Sequence, residues 1–268
     1  MHILRCTLLL TLLGISLAQA GPSKENLLGY LAEQITRDPD STTPYLRRAH
    51  TLAEIGMLDA AYSDLDQIDR LGDHTTAALV RGDFLSRQGK LAAARAELDR
   101  AIRLQPNNLR AYLLRAEVLL AQGEKKKALA DYQKLFSLQP EIESGFLREA
   151  ALLTEDIEGP RAALALLDRR METLGAIPQL QNIAIAIEQR RKNYQAAIAR
   201  LKTFSPLMQS SPFWHSQVAH LELLNGNPTS TRHHLEIAEN LLSGRRQTQV
   251  SRQLQNELLA LREKLKAS

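Results

Sequence analysis

A segment of about 34 residues recurs along this chain, and the recurrence limits the folds open to it. Three copies begin at Tyr45, Ala78 and Tyr112, so their starts lie 33 and 34 residues apart. In each copy a glycine follows the first run of helix-forming residues. These glycines are Gly56, Gly89 and Gly123. Glycine takes a positive φ without strain, so it commonly ends a helix in a tight turn. The period predicts stacked helical hairpins, because one hairpin cannot bury its own apolar face.

Small residues and prolines recur at the same spacing. The small residues five positions after the glycines are Ala61, Ala94 and Ala128. Pro106 and Pro140 close the second and third copies, where a proline stops a helix. Only 4% of the residues are aromatic, and no segment shows sustained period-two alternation of apolar and polar residues. We therefore expect an all-α chain.

Six positions of the third copy define a pattern, and the second copy matches it at five of them. In the third copy they are Tyr112, Ala116, Gly123, Ala128, Tyr132 and Pro140. The second copy supplies Gly82, Gly89, Ala94, Leu98 and Pro106. In these residues the chain resembles the tetratricopeptide repeat family. The resemblance implies a right-handed superhelical solenoid of stacked helix-turn-helix hairpins, whose first helices line a concave groove that binds peptides or proteins.

The repeats are expected to span residues 42–243 in about six copies, of which the last two are degenerate. The copy that contains "KNYQAAI" loses its turn glycine, and the copy that begins at Trp214 recovers one at Gly226. An N-terminal helix is expected within residues 21–41, and a C-terminal capping helix within residues 244–268. The apolar face of the capping helix would consist of Val250, Leu254, Leu258, Leu261 and Leu265.

The first twenty residues have the layout of a secretory signal peptide. Arg5 precedes the apolar run "TLLLTLLGISL", and the small-x-small sequence Ala18, Gln19, Ala20 follows it. The run is shorter than the ~20 residues that a membrane-spanning helix needs. An uncleaved anchor is the alternative, but we expect cleavage before Gly21 and a periplasmic or secreted product without stable membrane insertion.

Loss of residues 1–20 would remove Arg5 and no acid, which leaves 33 basic residues against 30 acidic ones. These charges are dispersed, whereas nucleic-acid binding needs basic residues clustered on one face, so no nucleic-acid partner is expected. The only cysteine, Cys6, would also be lost. The remaining chain would then have no disulfide, cysteine nucleophile or thiolate metal site.

One arginine in each of the first three copies precedes an acid by sixteen residues. The predicted pairs are Arg48 with Asp64, Arg81 with Glu97, and Arg115 with Asp131. An antiparallel hairpin would bring each pair together, and a catalytic arginine would not occur three times with its own carboxylate. We interpret the pairs as structural ion pairs, with ligand binding as the alternative.

The family resemblance implies which side chains face the groove. The candidate partner-binding residues are Leu46, His50, Leu79, Asp83, Arg110, Leu113, Glu117 and Leu147. A leucine stripe beside mixed charges would suit an apolar peptide or an amphipathic helix. The alternative is that the leucines pack neighbouring first helices together. A subfamily that binds a C-terminal carboxylate uses lysines and asparagines here, and only Arg110 is suitable, so that mode is not expected.

Four histidines near the C-terminus are candidate metal ligands. His215 and His220 are five residues apart, and His233 and His234 are adjacent, whereas ligand pairs on a helix usually stand four apart. We therefore predict no metal site, although combinations across two helices stay open. The chain also has no glycine-rich phosphate loop, no G-x-S-x-G and no H-E-x-x-H, so neither a cofactor nor catalysis is expected.

The sequence thus predicts a non-enzymatic scaffold of an envelope assembly or export system that binds a peptide or protein in its concave groove. One alternative is a constitutive subunit that docks through its convex face or C-terminal helix. A histidine-based metal carrier is a further alternative. The oligomeric state does not follow from the sequence.

Overall fold

The computed structural model describes residues 23–140, 144–175, 177–204, 206–243 and 248–267. All regular elements in these ranges are helices, fifteen in number, which confirms the all-α prediction. The predicted signal peptide, residues 1–20, lies outside the described residues. The chain divides into two compact units, Met1–Glu124 (unit 1) and Lys125–Ser268 (unit 2).

The described part of unit 1 contains six helices, and each contacts the next along the chain. They are α1 (Lys24–Arg37), α2 (Thr42–Glu54), α3 (Leu58–Arg70), α4 (His74–Arg87), α5 (Leu91–Leu104) and α6 (Leu109–Ala121). The first helices α4 and α6 of successive hairpins also contact each other. One core cluster joins α2, α3 and α4 through Leu52, Leu65, Ile68 and Phe84.

Unit 2 continues the same pattern with nine helices in its described part. They are α7 (Lys125–Leu138), α8 (Ser144–Glu158), α9 (Pro160–Leu174), α10 (Pro178–Arg190), α11 (Tyr194–Leu201), α12 (Pro206–Gln209), α13 (Pro212–Leu224), α14 (Pro228–Ser243) and α15 (Gln249–Ala267). The first helices α8 and α10 contact each other, and α15 packs on both α13 and α14. Leu254, Leu258 and Leu261 of α15 are buried in that contact, whereas Val250 in its first turn is 57% exposed.

Five turns between paired helices share one geometry, whereas the turn between α8 and α9 differs, because Pro160 follows Gly159 and has no N–H to donate. In these five turns the last residue has a positive φ of 57° to 83°. The residue after it donates its backbone N–H to the carbonyl oxygen five residues earlier, at 2.8 to 2.9 Å, which closes the helix end. The positive-φ residues are Gly56, Gly89, Gly123, Lys192 and Gly226. The predicted glycine turns are confirmed, and Lys192 adopts the same conformation in the copy that lost its glycine, at a cost of about 1 kcal/mol.

Close contact between the two helices of a hairpin requires small residues at the crossing. Ala94 and Ala128 of the second helices have no exposed surface. Gly82 of α4 is also buried, and a Cβ added to it would lie 2.7 Å from Cγ of Leu98 and 3.3 Å from the carbonyl oxygen of Ala94. The crossing of α4 and α5 therefore has no room for a side chain at Gly82.

The substitution Gly82→Ala is expected to lower the midpoint of urea unfolding, because the added methyl group overpacks this crossing at a cost of about 1–3 kcal/mol. Gly29→Ala is the matched control, since Gly29 lies inside α1 and a Cβ there meets no atom within 4 Å. Both substitutions replace a glycine inside a helix and gain the same helix propensity. The difference between the two midpoints therefore measures the destabilisation caused by the contact of the added methyl group with Leu98. Equal midpoints would show that the crossing tolerates a side chain.

Candidate partner-binding surfaces

The repeated arginines lie among carboxylates of the second helices. Arg48 donates from Nε and Nη2 to both carboxylate oxygens of Asp64, at 2.9 and 2.7 Å. Asp64 is only 4% exposed, so this bond satisfies a buried charge. The bond also raises the pKa of Arg48. The Arg48 guanidinium lies 5.7 Å from the Tyr45 ring centre, which adds a cation–π contact.

The next two arginines bind acids of the preceding hairpin. Arg81 donates to Asp66 at 2.6 Å, and its distance to Glu97 is 3.8 Å. Arg115 donates to Asp99 at 2.7 Å. Sequence spacing within one copy pointed only to the acid that follows, and therefore missed Asp66 and Asp99. Asp131, the acid predicted for Arg115, is buried in α7.

The four leucines of the predicted groove are less accessible than a binding stripe requires. Leu46 is half-buried against the α2–α4 core, and Leu79 is half-buried against two smaller clusters. Leu113 is also half-buried. Leu147 is fully buried and therefore offers no surface to a partner. These positions favour the alternative interpretation, in which the leucines hold neighbouring helices together.

The polar candidates of unit 1 lie near one another on its first helices, with one residue that the sequence analysis missed. We call this set the charged strip: His50, Asp83, Arg87, Arg110 and Glu117. The nearly buried carboxylate of Asp83 accepts two bonds from Arg87, both at 3.0 Å, while the Arg87 side chain is 73% exposed. Arg87 could have been found from its position four residues after Asp83 on the same helix.

The electrostatics of the charged strip reflect burial and its mixed signs. Burial, together with the charge of Arg110, lowers the pKa of His50, whose ring stands edge-on to Phe84 at 5.4 Å. Burial also raises the pKa of Glu117, and nearby Asp83 adds to that effect. The strip therefore presents a neutral imidazole among charges of both signs near neutral pH.

Unit 2 contains two adjoining pockets along its first helices that the sequence analysis did not predict. One pocket lies between α8 and α10, the other is bounded by α10, α11, α13 and α15, and Asn182 lines both. We call the two pockets together the amide groove, after four side-chain amides that line it. These are Gln179, Asn182 and Gln189 of α10 and Gln217 of α13. In the second pocket the lining also includes the buried side chains of Ile185, Leu201, Leu221 and Leu261.

The C-terminal histidines fall into separate places. His215 of α13 and His234 of α14 face each other, with 2.9 Å between their Nδ1 atoms, and Trp214 stands edge-on to both rings. His220 lies apart from this pair, in the amide groove beside Lys264. Among the described residues, no three His, Cys, Asp or Glu side chains are arranged to hold a metal ion.

The His215–His234 contact requires one ring to donate and the other to accept, so the two Nδ1 atoms cannot both carry a proton. Burial lowers the pKa of His234 to about 4, and His215, His233 and Lys202 contribute in the same direction as nearby positive charges. Burial likewise lowers the pKa of His215. Both rings are therefore neutral at pH 7.

None of the described helices combines the length and apolar composition that a membrane crossing requires.

Comparison with known proteins supports the repeat architecture. A family model described as tetratricopeptide repeat matches residues 79–140. A solved tetratricopeptide repeat protein from Parabacteroides merdae is 20% identical, with 84% of this chain and 86% of that chain covered and a TM-score of 0.51. The C-terminal part of a repeat-containing protein from Cytophaga hutchinsonii is 12% identical, with coverages of 86% and 96% and a TM-score of 0.61. No curated protein matched the chain in sequence.

Acid is expected to destabilise the last hairpin through His234. Its pKa is lowered in the folded chain, so the unfolded chain binds the proton more tightly, and stability falls as the pH drops from about 6.5 towards 4. Thermal unfolding followed by Trp214 fluorescence should show this slope, because Trp214 is the only tryptophan. His234→Gln should flatten the slope, whereas His233→Gln, which changes an exposed neighbour, should retain it. An unchanged slope in His234→Gln would contradict the assignment.

Proposed function

Because residues 79–140 are tetratricopeptide repeats and the described chain has the fold of such proteins, we propose that this protein is a non-enzymatic scaffold that binds a peptide or protein partner along its first helices. The fold provides the general role, since stacked helical hairpins present extended surfaces for partners. The partner would bind as an extended segment, with the amide groove of unit 2 as its main contact.

The observation that carries this proposal is the composition of the amide groove. Each side-chain amide has two N–H donors and one carbonyl acceptor, so it can bond both to the C=O and to the N–H of an extended main chain. Asn182 and Gln217 are exposed and therefore accessible to a ligand. The apolar side chains beneath the amides can take a side chain of the partner, as peptide-binding sites typically combine main-chain bonds with side-chain pockets.

In unit 1 the charged strip is a second contact surface under this proposal. His50, Asp83, Arg110 and Glu117 remain candidates there, and Arg87 joins them because its guanidinium is largely exposed. The half-buried Leu46, Leu79 and Leu113 would contribute the edges of their side chains. A surface that carries both signs of charge would orient a partner more than it would increase affinity.

A constitutive subunit that docks through its C-terminal helix is less well supported. That alternative requires a large apolar patch on α15, but Leu254, Leu258 and Leu261 are used within the chain. Val250 and Leu259 are the large apolar residues of α15 that remain exposed, at 57% and 59%. They stand nine residues apart on the helix, and isolated exposed apolar residues are common on soluble proteins.

We place the scaffold in the periplasm or outside the cell, as part of an envelope assembly or export system. Support for export comes from residues 1–20, with Arg5, the short apolar run and the Ala18-Gln19-Ala20 sequence. The loss of Cys6 with that segment would leave a chain whose stability does not depend on the redox state of its compartment.

Cross-linked capture from envelope extract, with residues 21–268 as bait, tests the proposed function. We expect a partner that the wild type captures and that Asn182→Ala plus Gln217→Ala loses by at least about tenfold, because the groove would lose main-chain bonds of ~1 kcal/mol each. The matched control is Gln195→Ala plus Asn240→Ala, which removes two exposed amides from the second helices α11 and α14. Equal capture by all three proteins would show that the partner binds elsewhere.

A further inference from the structure

We propose that the amide groove selects an acidic peptide segment, extended, with an aliphatic side chain that enters the pocket bounded by α10, α13 and α15. This inference rests on the proposed function and adds the chemistry of the partner. It follows from the charges that line the groove, the pairing of those charges and the apolar side chains in its second pocket.

Basic side chains outnumber acidic ones along the groove. Arg148 and Arg190 line the pocket between α8 and α10, and Lys264 lines the pocket beside α15. Glu257 is the one carboxylate among the lining side chains. Because the cations lie in both pockets, an extended segment that spans them would meet positive charge near each end.

Two of these cations have no carboxylate partner in the part of the chain that the structure describes. Within the described residues, no hydrogen bond or ion pair joins Arg148 or Lys264 to a carboxylate, and both side chains are exposed. The third, Arg190, bonds to Glu155 at 3.2 Å from Nε, so a protein carboxylate already neutralises it. Arg148 and Lys264 therefore provide the unpaired positive charge of the groove, which exceeds the single negative charge of Glu257, whose carboxylate accepts a bond from Gln253.

Two of the other bases on α15 are paired with acids, whereas Arg252, which does not line the groove, has no acid partner among the described residues. Arg262 bonds to Glu239 of α14 at 3.1 Å from Nε, and Lys266 bonds to Glu263 at 2.8 Å. Lys264, the base of α15 that lines the groove, lies close enough to His220 to lower the pKa of that imidazole, although burial is the larger cause. An acidic side chain of a partner would complete the charge pairing at this point.

The apolar lining of the second pocket determines which kind of peptide side chain would bind in it. Ile185, Leu201, Leu221 and Leu261 are each at most 7% exposed, so the bottom of this pocket is hydrocarbon. The pocket has a volume of about 490 Å³, which accommodates an aliphatic side chain with its adjoining main chain. A charged side chain placed there would lose hydration without a partner, so the acids must flank the anchor.

A peptide pool tests this inference directly. The pool has a fixed central leucine and flanking positions drawn from aspartate, glutamate, serine, glutamine and lysine, and the peptides retained on immobilised residues 21–268 are sequenced. We expect acids to be enriched over lysine at least tenfold in the flanking positions, with the enrichment falling as salt rises. Arg148→Glu plus Lys264→Glu should reverse the preference toward lysine.

The control is Arg252→Glu plus Lys266→Glu, which makes the same change in net charge on exposed residues of α15 that do not line the groove. This control should select the same acidic peptides as the wild type. Equal enrichment of acids and lysine, an unchanged preference in the Arg148 and Lys264 variant, or no retained peptide would each overturn the inference. The proposed function would be decided separately, by whether the Asn182 and Gln217 variant loses the captured partner.

Discussion

The tight turn inside the hairpins is the constraint on which the rest of this structure depends. A positive-φ residue reverses the chain, and in the described hairpin turns other than that at Gly159 the N–H that follows it bonds back to the carbonyl oxygen five residues earlier. This short closure places the two helices antiparallel and in contact. The contact is close enough that Gly82 cannot carry a side chain, and that Ala94 is fully enclosed. Within each unit this register lets first helices of successive hairpins meet, as α4 meets α6 and α8 meets α10.

The hairpins could be predicted from the sequence because the residues that determine them lie within one copy of the repeat. A glycine at Gly56, Gly89 or Gly123 and a small residue five positions later act within one copy, so the period shows them directly. The positive φ of Lys192 was not predicted, because the exposed lysine takes a conformation that its residue type does not favour, within a turn closed by the bond from the N–H of Asn193 to the carbonyl oxygen of Glu188. The acid partners of Arg81 and Arg115 were also predicted only in part. Asp66 and Asp99 belong to the preceding hairpin, and they lie near these arginines only after the hairpins stack.

The binding surfaces were harder to predict for the same reason. Leu147 occupies a position that the family pattern would assign to a groove, but it is enclosed in the structure. The amide groove combines side chains from α8, α10, α13 and α15, and no spacing in a single copy joins them. A local signal did exist, since Gln179, Asn182 and Gln189 lie three and seven residues apart and so share one side of α10. Only their neighbours from other helices turn that row into a pocket.

The histidines illustrate how stacking separates residues that look alike in sequence. His215 and His220 are on one helix, but His215 faces His234, while His220 lines the groove beside Lys264. The His215–His234 pair affects the stability of the last hairpin, whereas His220 belongs to the candidate binding surface. Their roles therefore differ although their residue type and helix are the same.

Site-specific photocrosslinking at Asn182 tests the central claim most directly. A photoreactive amino acid would replace Asn182 in one protein and Asn240, on the second helix α14, in another, and both would be irradiated in envelope extract. The account predicts a discrete adduct from position 182, where the two pockets of the amide groove meet, and none from position 240. An adduct from position 240 alone would contradict it and would move the partner to the second helices.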